Sequence, residues 1–153
     1  MSSIEDGRAP KELLLVEDSP GDVRLTQEAF RQVDSTIRLH VAADGVEALA
    51  FLRKQGEYVN APRPDLILLD LNLPRMDGRE VLAIIVEDED LKTIPTVILT
   101  TSDAEADIAK CYELQANCYL CKSPGLEDFE SVVRSIKEFW LTKAKLPQWK
   151  QDE

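Results

Sequence analysis

The stretch DLILLD (65–70), followed directly by LNLPRMDG (71–78), sets the fold class of this chain. An apolar run of this length, closed by turn residues, reads as a strand buried on both faces in a parallel sheet. Leu73-Pro74 and then Asp77-Gly78 mark the turn that follows it. Three further runs have the same form. LLLVED (13–18) ends in Glu17 and Asp18, TVILTTS (96–102) in Thr100, Thr101 and Ser102, and CYLCK (118–122) in Lys122. The crevice outside the carboxyl ends of parallel strands is where open sheets bind ligands. Three carboxylates, a hydroxyl and an ammonium are therefore expected to meet at one edge, a set suited to a hard cation and a phosphoryl group.

Helical patterns separate these runs. Ser19 is an expected N-cap with Pro20 at the first helical position. Val23, Leu25, Ala29, Phe30 and Val33 supply the apolar side of that helix. IRLHVA (37–42) alternates and reads as a second strand. Asp44 is expected to cap a helix with Val46, Ala48, Leu49, Phe51 and Leu52 facing inward. GEYVNAPRP (56–64) is a loop. Further helices are expected from the turn at Gly78 to about Asp90, from Asp103 to about Gln115, and from about Glu127 to Lys143. Five β/α units without an internal repeat predict an α/β fold, a doubly wound parallel sheet with helices on both faces. A flavodoxin-like strand order, 2-1-3-4-5, makes the first and third strands neighbours and brings Glu17, Asp18 and Asp70 together. The expected organisation is a leader over 1–11, one domain over 12–143 and a tail over 144–153.

Composition narrows the function. The chain has 153 residues with 44% hydrophobic residues, which favours one globular domain. Its formal net charge of −11 opposes nucleic-acid binding, which rewards Lys and Arg. No apolar run reaches bilayer length and no signal pattern opens the chain, so the expectation is a cytoplasmic protein without membrane attachment. Cys111, Cys118 and Cys121 make an odd count. Cys118 and Cys121 form a C-x-x-C pair, but on a strand their spacing is about 10 Å, too far for a disulfide. They read as core cysteines on a buried strand. His40, the only histidine, reads as a surface strand residue away from the acidic edge. Met76 is expected to pack under the turn.

These residues together resemble the receiver domain of two-component response regulators. The resemblance covers about residues 12–140. It rests on the acidic pair Glu17 and Asp18, on Asp70, on the Leu-Pro-x-Met-Asp-Gly turn (73–78), on Thr100 and on Lys122, all in order and each tied to a strand end. EDSPGDVRLTQEAF (17–30) and FWLTKAKLP (139–147) are similar to receivers that partner phytochrome histidine kinases. The resemblance implies a stand-alone phosphoacceptor switch, not an enzyme, that receives a phosphoryl group on Asp70 from a histidine kinase.

Three carboxylates in one cluster need a cation, because two unit charges about 5 Å apart repel by about 3 kcal/mol at an effective dielectric near 20. Oxygen-only ligands favour Mg²⁺ or Mn²⁺. Asp18 and Asp70 are assigned direct ligation and Glu17 a water-mediated role. The family pattern adds the main-chain carbonyl of Asn72. Lys122 supplies a second positive point, pairing with Asp70 before phosphorylation, and the N–H groups of Asn72 and Thr101 add donors. Thr100 is the expected switch hydroxyl. The family implies that Tyr119 turns inward when Thr100 moves; the residues alone leave open an ordinary half-buried tyrosine. The changed surface would comprise the fourth helix, the fifth strand and the fifth helix. Lys122 is followed by Ser123-Pro124 where the family has Pro directly, so a cis bond is expected to be lost or displaced. Phe139, Trp140, Leu141, Leu146 and Trp149 suggest an interface, and a homodimer through the last strand and last two helices is the expectation. Two other classes fit these residues less well. An aspartyl-phosphate phosphatase needs an Asp where Asn72 stands. A flavin protein needs a phosphate cradle where this chain has Glu17 to Asp22.

Overall fold

Each apolar run forms a strand. β1 spans Glu12–Val16, β2 Arg38–Ala42, β3 Leu66–Leu69, β4 Thr96–Thr100 and β5 Cys118–Cys121. The computed structural model describes residues 11–101, 104–122 and 126–143. Within it the five strands pair in parallel in the order β2-β1-β3-β4-β5, as the flavodoxin-like reading expects. The helices are α1 (Pro20–Val33), α2 (Gly45–Leu52), α3 (Gly78–Glu87), α4 (Glu105–Glu113) and α5 (Leu126–Glu138).

The period of two in the strands sorts their side chains into two cores. Leu13, Leu15, Leu66, Leu68, Val97 and Leu99 pack with Ala29 and Phe30 of α1 and with Val133 and Ile136 of α5. Leu14, Val16, Ile67, Leu69 and Ile98 face the other way, toward α2, α3 and Cys111 of α4. The residues of β3 are fully buried, and each such side chain stabilises the fold by about 1.5–3 kcal/mol through removal from water.

Local chemistry starts the helices where expected. Ser19 Oγ accepts from Asp22 N at 3.3 Å, and Pro20 occupies the first turn of α1. Asp44 Oδ1 accepts from Glu47 N at 2.8 Å at the start of α2. Asp77 and Glu80 form a capping box at α3.

Several expectations are corrected. Val46 does not face inward; it is 43% exposed, because it lies in the first turn of α2, off the stripe formed by Ala48, Leu49, Phe51 and Leu52. α3 ends at Glu87, short of Asp90, because Asp88 Oδ1 accepts from the N–H groups of Asp90 and Leu91 and starts a 3₁₀ turn. The last helix does not stay α-helical to Lys143: beyond Glu138 it widens into a π turn over Phe139–Lys143. The cysteines are not uniformly core. Cys111 is buried, Cys118 half-buried and Cys121 exposed, since β5 is an edge strand. His40 is half-covered: it lies 2.7 Å from Glu12 and its ring meets that of Phe51. Met76 packs against the core beside α3, as expected. The expected leader (apart from Lys11), Ser102, Asp103, the displaced cis bond at Ser123 and Pro124, and the tail with Leu146 and Trp149 lie outside the described residues.

Candidate functional site

Extension of the strand ladders places the polar residues at the sheet's carboxyl edge. Glu17 N donates to Ala42 O at 3.0 Å, Asp70 N to Val16 O at 3.1 Å and Lys122 N to Thr100 O at 2.7 Å. Each side chain therefore leaves its strand at a set height and direction. Carboxylate oxygens of Glu17, Asp18 and Asp70 come within 4.8 Å of one another. Glu17 and Asp70 are buried and Asp18 is exposed, so the cluster opens toward solvent on one side.

The turn after β3 folds back on the site. Leu71 N donates to Asp70 Oδ1 at 2.8 Å, and Gly78 N donates to Leu71 O at 2.9 Å. A Cβ at Gly78 would stand 2.2 Å from the carbonyl oxygen of Asp70. Glycine is thus required for the close approach of the α3 start to the strand end. Asn72 lies exposed in this turn, and Arg75 adopts a left-handed φ of 64° with its guanidinium 2.8 Å from Asp44.

Lys122 enters from the end of β5 with its side chain only 7% exposed. It forms a close ion pair with Glu17, donates to Asp22 Oδ2 at 2.9 Å and stays 3.8 Å from Asp70 Oδ2. The expected ion pair with Asp70 is therefore present at 3.8 Å, and two closer partners that were not expected, Glu17 and Asp22, share the ammonium. Burial alone would push the ammonium pKa down, but the hydrogen bonds to Glu17 and Asp22 and the charge of Asp70 outweigh it and hold it above the ordinary lysine value. Burial pushes the Glu17 carboxyl up, and the charge of Asp70 adds to this, against the pull of Lys122. Asp22 escaped the sequence reading. Its place in the first turn of α1 does not by itself show that it faces Lys122.

Thr100 is fully buried at the end of β4, and its Oγ1 has no hydrogen-bond partner among the described residues. A buried unsatisfied hydroxyl costs about 1–3 kcal/mol. Thr101 beside it is exposed. Tyr119, whose Cα pairs with that of Ile98, is half-buried on the core face that α2, α3 and α4 cover. An oxygen-only donor set of three carboxylates fits a hard divalent cation. An idle buried donor beside it fits an oxyanion that is not always present.

The residues of this edge and the sheet order point to one family, and the sequence comparison agrees: residues 13–134 match the response regulator receiver domain. The chain belongs to the response regulator receiver domain family. Response regulator Rcp1 of Synechocystis sp. is 52% identical over 143 residues, covering 94% of this chain and 97% of that protein. Among solved structures, the phosphorylated cyanobacterial phytochrome response regulator RcpA is 52% identical, with a TM-score of 0.87, over 92% of this chain and all of that one. The Mn²⁺-bound form of Rcp1 is 54% identical, with a TM-score of 0.84, over 91% of this chain and all of that one. This receiver domain is thus similar to phytochrome response regulators across nearly its whole length. Among the described residues, no helix is long and apolar enough to cross a membrane.

Proposed function

We propose that this receiver domain is a phosphoacceptor switch in which Asp70 receives a phosphoryl group from the histidine of a partner kinase. The observation that carries the proposal is the placement of Asp70: buried at a strand end, grouped with Glu17 and Asp18, and ion-paired with Lys122 at 3.8 Å, beyond hydrogen-bond distance. Phosphoryl transfer demands little covalent chemistry from the protein; positioning and charge neutralisation dominate. The Asp70 carboxylate attacks phosphorus, the P–N bond to the kinase histidine breaks, and the histidine recovers its electron pair. Lys122 neutralises one equatorial oxygen. Thr100 Oγ1 donates to another, and main-chain N–H groups of Asn72 and Thr101 supply further donors.

Asp18 and Asp70 would hold Mg²⁺, or Mn²⁺ as in the solved form of Rcp1, with the Asn72 carbonyl as a third ligand and Glu17 acting through water. The cation supplies charge neutralisation for the transferring group. Thr100, drawn toward the phosphoryl group, leaves space into which Tyr119 turns, and α4, β5 and α5 present a changed surface. The domain turns over no free substrate and acts in the cytoplasm. The likeness to RcpA supports a phytochrome-type kinase as donor. Of the residues expected at a dimer interface, Leu141 is buried and Trp140 packs against the core instead; a homodimer is supported by the exposed Phe139 beyond α5, Tyr112 on α4 and Cys121 on β5.

The test is intact mass after incubation with acetyl phosphate and Mg²⁺. Wild type gains one phosphoryl group and Asp70→Asn gains none. Equal adducts in both would remove Asp70 as acceptor, and steady hydrolysis of free phosphate monoesters would restore the enzyme reading.

A further inference from the structure

The Lys122 ammonium has three N–H donors and no acceptor. Two are committed, one to Glu17 and one to Asp22 Oδ2 at 2.9 Å. Asp70 Oδ2 at 3.8 Å is about an ångström beyond a charge-assisted hydrogen bond of about 2.8 Å. Glu17 and Asp70 belong to the carboxylate trio that fits a cation; Asp22 does not. Asp22 is nonetheless held firmly. Its N–H donates to Ser19 Oγ at 3.3 Å, and its carbonyl accepts from the buried Thr26 Oγ1 at 2.7 Å. Among the described residues its carboxylate has Lys122 as its hydrogen-bond partner. This carboxylate is set on a capped helical turn and, among the described residues, engages the lysine.

Without Asp22, the next carboxylate in reach of the ammonium is Asp70, and opposite charges at that separation attract strongly in a site shielded from water. Lys122 would close the remaining ångström. A lysine bonded directly to Asp70 would cover the oxygen that has to carry the phosphoryl group. We propose that Asp22 is a positioning residue: by accepting from Lys122 it holds the ammonium back from Asp70, leaving the nucleophile open and the third N–H for the arriving phosphoryl oxygen. The proposal rests on the reading of Asp70 as phosphoacceptor. It also has a distinctive sign. Loss of one negative charge beside an anion site would by itself tighten anion binding, whereas loss of a positioning residue weakens it.

The experiment is a titration with beryllofluoride, a phosphoryl mimic, at saturating Mg²⁺, together with NMR observation of the Lys122 ammonium protons. Asp22→Ala is expected to bind about three- to tenfold more weakly than wild type, the range for a half-exposed charged contact. Asp22→Asn, whose amide oxygen still accepts, is expected within about twofold of wild type. The ammonium signal persists in wild type and Asp22→Asn and exchanges away in Asp22→Ala. Equal or tighter binding by Asp22→Ala overturns the proposal, as does an unchanged ammonium signal in that variant. Those results leave Asp70 as acceptor untouched. Failure of wild type to bind beryllofluoride, or binding by Asp70→Asn as tight as wild type, overturns the phosphoacceptor reading and this proposal with it.

Discussion

Thr100 links stability to the proposed function in a single residue. Its hydroxyl is buried and has no hydrogen-bond partner among the described residues, a destabilising arrangement that the proposed phosphoryl oxygen would relieve. Thr100→Val keeps the shape and removes the orphan donor. The unphosphorylated variant is expected to be more stable by about 1 kcal/mol, because an unsatisfied polar group is gone. It should also lose most of its response to beryllofluoride. Urea unfolding with and without beryllofluoride and Mg²⁺ checks both parts. A variant less stable than wild type, or one that responds as wild type does, would contradict the role given to Thr100. Residues of this kind were legible in the sequence because a strand end leaves a side chain little choice: the ladder bonds from Glu17, Asp70 and Lys122 fix its direction. Asp22 was not legible. Its partner lies 100 positions away, and nothing in the local pattern of α1 says which side of the first turn faces β5.

Elements here are defined as much by their ends as by their cores. Asp44 caps α2 and also holds Arg75, the residue in a left-handed conformation beside the site. Burial alone would raise the Asp44 pKa, but hydrogen bonds from Glu47 N and Arg75 and the Arg75 charge outweigh it and hold it below the ordinary value of 3.8. A depressed folded-state pKa contributes stability that is present above the unfolded value and lost as pH falls through the folded one. Asp44→Asn keeps a capping oxygen but not the charge. Wild type is therefore expected to be the more stable of the two at neutral pH, and the gap should close as pH drops below 3.8. Urea midpoints at a series of pH values check this; a gap independent of pH would show that the charge contributes nothing. At this scale the sequence placed the strands and α-helices of the described residues, but it read the 3₁₀ turn over Gly56–Tyr58 as loop. It misplaced the ends of α3 and α5, because Asp88 captures two N–H groups and stops one helix, while a π turn at Phe139 alters the other. It also placed Val46 and Cys121 inside, since composition does not tell a first-turn or edge-strand position from a central one.

At the scale of the whole molecule, the sheet order brings distant segments to one edge, and the helices around β4 and β5 form the surface proposed to respond to it. Arg79 ties α3 to α4 through Asp107 at 2.5 Å, while also meeting Asp77 at 3.0 Å, so the acidic turn after β3 and the helix after β4 are mechanically linked. Exposed Tyr112 and Phe139 lie in and beyond the same set of elements. If this surface joins two copies, beryllofluoride and Mg²⁺ should shift the dimer equilibrium, and Tyr112→Glu should weaken it. Light scattering across a concentration series checks this; a monomer in every state would remove the homodimer.

Separate strand ends are proposed to hold a divalent cation beside Asp70 and to position that carboxylate for a phosphoryl group. A crystal structure with Mg²⁺ and beryllofluoride tests this most directly. The expected result is beryllium bonded to an Asp70 carboxylate oxygen, the cation on Asp18, Asp70 and the Asn72 carbonyl, and Lys122 and Thr100 on the fluorines. An empty edge with Asp70 turned elsewhere, or beryllofluoride bound to a different carboxylate, would contradict it.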